Sequence, residues 1–227
     1  MAIETSGRTG SLAALDGQAQ AASCVREIRL DGGGRTAQWL APALERLLAE
    51  IGWSADSIEL VAVAVGPGSF TGLRIGVTAA KTLAYAVGAQ IVAVETMAVL
   101  AAQAASPATL WTVMDAQRQE LFVARFAAPA AGRLAPIGDT SIIAVQLWLD
   151  RLRPGDHVTG PPLARLQGRL PEGVVAVTPD ECWQPTAAGV GQVAWQAYQN
   201  GQRDDVWTLV PRYYRPSAAE EKAARRT

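Results

Sequence analysis

The residues best placed to do chemistry lie around one glycine-rich turn. A valine-rich run, Leu60 to Val65, is followed by Gly66-Pro67-Gly68-Ser69-Phe70-Thr71-Gly72. Glycines between a strand and a helix let the backbone approach a phosphate, with the helix N-terminus behind it. Gly66, Gly68 and Gly72 form a relaxed dinucleotide fingerprint, and Glu95 ends the next apolar run, where a ribose-binding acid belongs. Against this, the third glycine falls one residue late and Pro67 stiffens the turn. A Walker A loop is excluded because Gly72 is followed by Leu73-Arg74, not by lysine and a hydroxyl residue. The phosphate-turn candidates are therefore Gly66, Gly68, Ser69 and Thr71. A turn that only needs positive φ and close helix packing uses the same residues. Both readings stay open at this level.

A pair of acids is the second candidate. Glu4 and Asp115 each end an apolar run, and carboxylates at two strand ends can face each other across a cleft that holds magnesium and phosphate. Metal chemistry of other kinds lacks ligands. The single histidine, His157, has no partner nearby and is expected in a half-exposed loop, and Cys24 and Cys182 stand far apart. Ser69 fails as a nucleophile elbow, since Pro67 and Thr71 occupy the positions that need glycine. No catalytic residue is expected.

The elements that carry these residues follow from periodicity. Residues 2–6, 11–15 and 25–30 read as three antiparallel strands, with Asp16-Gly17 as a hairpin turn and Asp31 to Gly34 as a stop. Thr36 to Ile51 reads as a helix with Leu40, Leu44, Leu47, Leu48 and Ile51 on one face and Pro42 near its start. A crossover unit follows: strand 60–65, helix 70–87 capped by Ser69 or Thr71 and closed by Gly88, strand 91–94, then a helix from Thr96. Residues 104–107 read as a boundary, after which the plan restarts. Strands 110–115, 120–126 and 134–143 precede a helix at 145–152, His157 to Thr159, a short helix at 163–170, a buried strand at 174–177 and a helix at 186–198. Both halves thus follow a ribonuclease-H-like order. The expected division is a lobe at 1–106, a second at 107–210 and a polar, basic, draped or disordered tail at 211–227.

Composition narrows the classes. The chain has 227 residues, enough for two small cores, and a formal charge of −1 that gives no global attraction to nucleic acid or membrane. Two distant cysteines suit a reducing, cytoplasmic setting, and no run suits a bilayer span or a signal peptide. Either the natural start lies a few residues upstream or the first strand is short. One face of the helix at 70–87 is unusual: Gly72, Gly76, Ala80, Ala84 and Gly88 recur at every fourth residue. Such a ladder serves tight packing on its own sheet, or an interface with another helix.

The segment Val65 to Gly76, reading Val-Gly-Pro-Gly-Ser-Phe-Thr-Gly-Leu-Arg-Ile-Gly, resembles the most distinctive segment of the bacterial TsaB (YeaZ) family. So do Ala2 to Ser6, Leu40-Ala41-Pro42, Met114-Asp115-Ala116 and the stretch Leu209 to Arg215. The resemblance implies an α/β fold of two ribonuclease-H-like lobes in the actin, sugar-kinase and chaperone-ATPase class. It implies a non-catalytic paralogue of TsaD that helps form threonylcarbamoyladenosine in tRNA, binding TsaD and supporting assembly with TsaE. ATP and metal then belong to the partner subunits. Alignment with TsaD places Thr96 and Leu100 where that family carries its two metal histidines, and neither side chain can ligate. The family arginine expected at 117 is replaced by Gln117, with Arg118 next. The resemblance assigns the partner face, to TsaD or to a second copy, to Leu40, Leu44, Leu47, Gly72, Leu73, Gly76 and Ala80. On that reading Gly76→Leu harms complex formation more than folding. The rival reading is a nucleotide-binding phosphotransferase or dehydrogenase using the Gly66–Gly72 turn. Contact with tRNA is expected to be indirect, with no reading of base sequence by this chain.

Overall fold

A computed structural model describes residues 1–17, 21–30, 36–104, 108–128 and 134–215. The expected stop at 31–34, the turn at 129–132, and parts of the boundary at 104–107 and of the tail lie outside them.

The first sheet comprises β1 (Ala2–Glu4), β2 (Ser11–Gly17), β3 (Ala22–Arg29), β4 (Leu60–Gly66) and β5 (Gln90–Glu95), in the order β3-β2-β1-β4-β5. β1 pairs antiparallel with β2 and parallel with β4. Asp16 and Gly17, expected as a turn, stay in β2 opposite Ser23 and Ala22, because cross-strand pairing extends through both of them. Between the strands run α1 (Thr36–Ile51), α2 (Phe70–Val87) and α3 (Thr96–Gln103). α2 matches its sequence signals: Ser69 Oγ accepts from Gly72 N at 3.2 Å, and Gly88 closes the helix in the left-handed conformation at φ 70°.

The second sheet repeats this plan. β6 (Thr109–Asp115), β7 (Glu120–Ala127), β8 (Ala135–Pro136), β9 (Ser141–Ala144), β10 (His157–Thr159) and β11 (Ala176–Val177) run in the order β11-β10-β6-β7-β8, with β9 also on β7. β6 again pairs antiparallel with its successor and parallel with the crossover strand β10. The expected strand 134–143 is two short pieces. The expected buried strand 174–177 is a two-residue edge, Ala176–Val177, with Val177 39% exposed. His157 lies half-buried on β10, not in a loop.

Side-chain size decides the packing. Along β4, Val61, Val63 and Val65 point to one face and Ala62 and Ala64 to the other, as a strand's period of two requires. The large face meets α1 and α2. The alanine face admits a closer neighbour, α6 (Ala187–Gln199), whose own contact residues are Ala187, Val190 and Ala194. α6 was expected in the second lobe, yet it packs on the first sheet. The second sheet is covered on one face by α4 (Val145–Arg151) and α5 (Leu163–Leu166), around the fully buried Trp148. Its other face takes Met97 and Leu100 of α3, each worth roughly 2 kcal/mol of burial. Val99 of α3 joins the first core. One helix therefore wedges both sheets together.

Candidate functional site

The glycine turn is built for close approach of protein to protein. Gly66 has φ 129°, which only glycine adopts readily, and a Cβ there would sit 2.7 Å from the Arg212 carbonyl oxygen. A Cβ on Gly68 would sit 2.5 Å from Ser6 Cβ, and Ser69 N donates to Ser6 O at 2.7 Å. Ser69 Oγ is engaged in capping, and Thr71 is exposed. Arg212 also forms an ion pair with Glu95, the acid assigned to a ribose. Both near sides of the turn are thus filled by this chain, which is the close-packing role and not an open cradle.

Glu4 and Asp115 end equivalent strands but do not share a site. Glu4 is completely buried; its Oε1 accepts from Ser6 N at 2.7 Å, and its Oε2 has no hydrogen-bond partner. Burial pushes its carboxyl up to about 7. Asp115 is half-exposed, with Oδ2 3.1 Å from Arg165 Nη1 and Oδ1 accepting from Gln117 N at 2.9 Å. It borders a cavity of about 270 Å³ whose lining includes Gln117, Arg118, Gln119, Arg165 and Arg169, and Glu4 is not part of it. Sequence reasoning missed this cavity. The turn beside it holds Gln117, Arg118 and Gln119 at φ 64°, 55° and 62°, left-handed conformations costing roughly 1–3 kcal/mol each. No glycine or asparagine marks the turn. Tertiary bonds fix it, including Val145 N to Gln119 O at 2.9 Å.

The residues assigned to a partner face point inward. Leu40 and Leu47 are 5% and 0% exposed and belong to the first core, with Leu44 packed against it. Gly72, Leu73, Gly76 and Ala80 are all buried. A Cβ on Gly72 would collide with the Thr5 carbonyl oxygen, and one on Gly76 with Thr5 Oγ1. The ladder therefore lets α2 settle on the end of β1, which corrects its assignment to an interface.

The outward face of α2 carries a strap formed by residues 204–215. Asp204 N donates to Ile91 O at 3.0 Å, and Asp204 Oδ2 accepts from Ala93 N at 2.8 Å, anchoring the strap to β5. Lys81 Nζ donates to the carbonyls of Trp207 and Leu209 at 3.1 and 3.0 Å. Tyr85 meets Trp207 edge-on with centroids 5.1 Å apart. At the other end of α2, Tyr213 stacks on Phe70 at 4.6 Å, and its hydroxyl accepts from Arg74 Nε at 2.9 Å. The strap then crosses to the second lobe, where Tyr214 meets Phe122, and Arg215 pairs with Glu120 and donates to Ala116 O at 2.9 Å. Residues 211–215, read as the start of a draped or disordered tail, are thus bound to both lobes. Tyr85, Trp207 and Val210 stay 67%, 70% and 64% exposed.

Among the described residues no three His, Cys, Asp or Glu side chains gather to hold a metal ion. No helix among them is long and apolar enough to cross a membrane. Thr96 and Leu100 are fully buried at the wedge between the sheets.

Duplicated ribonuclease-H-like lobes joined by a shared helix define the actin, sugar-kinase and chaperone-ATPase class. The family model for TsaD, tRNA N6-adenosine threonylcarbamoyltransferase, matches residues 35–156, more than half of the chain. The chain belongs to this family, in its TsaB (YeaZ) branch. A Bacillus subtilis (strain 168) protein named tRNA threonylcarbamoyladenosine biosynthesis protein TsaB is 29% identical over 158 residues, 69% of this chain and 67% of that one. Two solved structures from Pseudomonas aeruginosa share the fold at 23% identity. One, described as an uncharacterized protein with similarity to peptidase YEAZ, has a TM-score of 0.76 over 94% of this chain and 97% of its own. The other, YeaZ, has 0.75 over 93% and 97%.

Proposed function

We propose that this chain acts in forming N6-threonylcarbamoyladenosine in tRNA, as a non-catalytic partner of TsaD in an assembly that also engages TsaE. Membership of the TsaD family carries this reading, together with Thr96 and Leu100, which the resemblance to TsaD sets against its two metal histidines. Thr96 and Leu100 are buried in the wedge, and a threonine hydroxyl and an isobutyl group cannot replace imidazoles there. The filled glycine turn supports the same view, because Ser6 and Arg212 lie where a phosphate would approach. The catalytic metal and ATP then reside on the partners.

The partner face in this proposal is the exposed aromatic patch on α2 and the strap, not the buried ladder. Tyr85, Trp207 and Val210 present large apolar area to solvent, and aromatic residues are the commonest anchors of interfaces. TsaD from the same organism, or a second copy of the chain, is the occupant. The test is co-elution of the two purified proteins, with Tyr85→Glu and Trp207→Glu combined. Loss of co-elution at an unchanged melting temperature is expected. Micromolar binding of ATP or a nicotinamide cofactor, with turnover by the isolated chain, would refute the non-catalytic reading.

A further inference from the structure

We propose that the free edge of β11 and the groove beside it take up an extended peptide of a partner protein, apolar in its middle and basic at both ends. β11 stands at one end of the second sheet's order, and no strand lies beyond it among the described residues. Its inward N–H groups are given to β10: Ala176 N donates to Asp156 O at 3.0 Å, and Thr178 N to Val158 O at 3.1 Å. Alternation along the strand therefore turns the N–H and C=O groups of Val175 and Val177 to the open side.

The residues of this edge do not guard it. Gly173 to Thr178 reads Gly-Val-Val-Ala-Val-Thr, with neither the charges nor the proline that keep foreign strands off an edge. Valine is also among the residues that best suit a pleated, half-buried surface. A groove of about 800 Å³ lies beside the run, lined by Leu170, Pro171, Val175, Val177 and Trp183. Trp183 is held as a fixed wall, because its Nε1 donates to Thr178 O at 2.9 Å. Thr178 lines the same groove at 8% exposure, and its hydroxyl has no partner among the described residues. A buried hydroxyl in that state carries a cost that an incoming polar group relieves.

Charge and shape select the occupant. The lining holds two acids, Glu172 and Asp180, both exposed, and no lysine, arginine or histidine. Glu172 precedes the valine run and Asp180 follows it. A strand laid along the edge would meet an acid near each end and apolar side chains between them. Strand addition of this kind draws affinity from main-chain bonds and specificity from pockets for alternate side chains. At about 800 Å³ the groove falls within the roughly 300–1,000 Å³ of ligand pockets, so it has room for several side chains. None of its residues belongs to α2 or the strap, and the inference does not rest on the partner reading above.

The test uses the isolated full chain and calorimetry with an acetylated, amidated peptide, Lys-Lys-Val-Thr-Val-Thr-Val-Lys-Lys. Binding is expected, weakened about ten-fold when the lysines become glutamates and about ten-fold when the central residues are N-methylated, which removes the ladder donors. Val177→Lys, at an exposed position, should weaken binding by about ten-fold without moving the melting temperature. Asp180→Asn should weaken it about three-fold and reduce its dependence on salt. Failure of the peptide to bind, equal binding of its N-methylated form, or wild-type affinity in Val177→Lys overturns the proposal. Displacement of the peptide by equimolar spermine would give the groove to a small polycation. Dimers that Val177→Lys dissolves in sedimentation would give the edge to a second copy, and tighter peptide binding by a chain ending at Arg215 would give it to residues 216–227. Each of these three results overturns the assignment to a partner's peptide.

Discussion

Replacing Glu4 by glutamine should stabilise the protein at neutral and alkaline pH. Glu4 is a buried carboxyl with one backbone donor on Oε1 and no partner on Oε2, and its ordinary value of 4.5 rises to about 7. A raised acid favours the folded state while it is neutral. Its contribution is complete below pH 4.5 and is lost as pH rises through about 7. At about 1.4 kcal/mol per pH unit, the wild type forgoes on the order of 3 kcal/mol by pH 8. Glutamine keeps an acceptor for Ser6 N and does not ionise, so it escapes that loss. Its amide adds buried donors, and below pH 4.5 the variant should equal or fall slightly short of the wild type. The assay is thermal unfolding of both proteins from pH 4.5 to 8.5 at constant ionic strength. The gap should open across pH 4.5–7 and reach on the order of 10 °C for a domain of this size. The amino group of Met1, pushed down to about 6 by burial, titrates in the same window but cancels in the difference. A gap that stays constant with pH, or a wild type more stable at pH 8, would refute the argument and show the carboxylate to be ionised and paired.

Two further predictions follow from packing and charge. Gly76→Leu should lower the melting temperature of the isolated chain, with a cost of at least about 1–3 kcal/mol, because even its Cβ collides with Thr5 Oγ1; binding by the folded fraction should be retained. Asp156→Asn should cost about 1–3 kcal/mol at pH 7 by chemical denaturation. Burial opposes ionisation of Asp156, but hydrogen bonds from Arg153 N, Trp111 and Thr109, and the charge of Arg125, hold its carboxyl below the ordinary 3.8. Its stabilisation is therefore present above that value and fades as pH falls below it, so the penalty should vanish in strong acid.

Local rules made much of the fold legible. α2 starts and stops where a serine cap and a left-handed glycine say it must, and the valine-alanine run of β4 announces burial on both faces. The direction of the glycine ladder was not legible, because small residues suit close approach to a strand as well as to a foreign helix. Thr5, seventy residues away in sequence order and on another strand end, decides between them. The cavity beside Asp115 gathers residues 117–119, Val145, Arg165, Leu166 and Arg169, which are brought together by the second sheet's order. The strap has no apolar period of its own; single anchors such as Asp204 and Tyr213 hold it to β5 and α2.

The late return of α6 to the first sheet bears on how the chain emerges from a ribosome. The alanine face of β1, β2 and β4 is complete in the first third of the chain, but the helix that seals it is the last one among the described residues. Until then Ala2, Ala13, Ala62 and Ala64 line an open apolar surface. Such non-local closure is slow, and the waiting surface is a site for chaperone binding or aggregation. The first lobe is therefore not a self-sufficient folding unit. A fragment ending at residue 106 should show little amide-exchange protection in β1 and β4, and adding the separate segment 180–215 should restore it. Full protection in the fragment alone would show that the alanine face closes without α6.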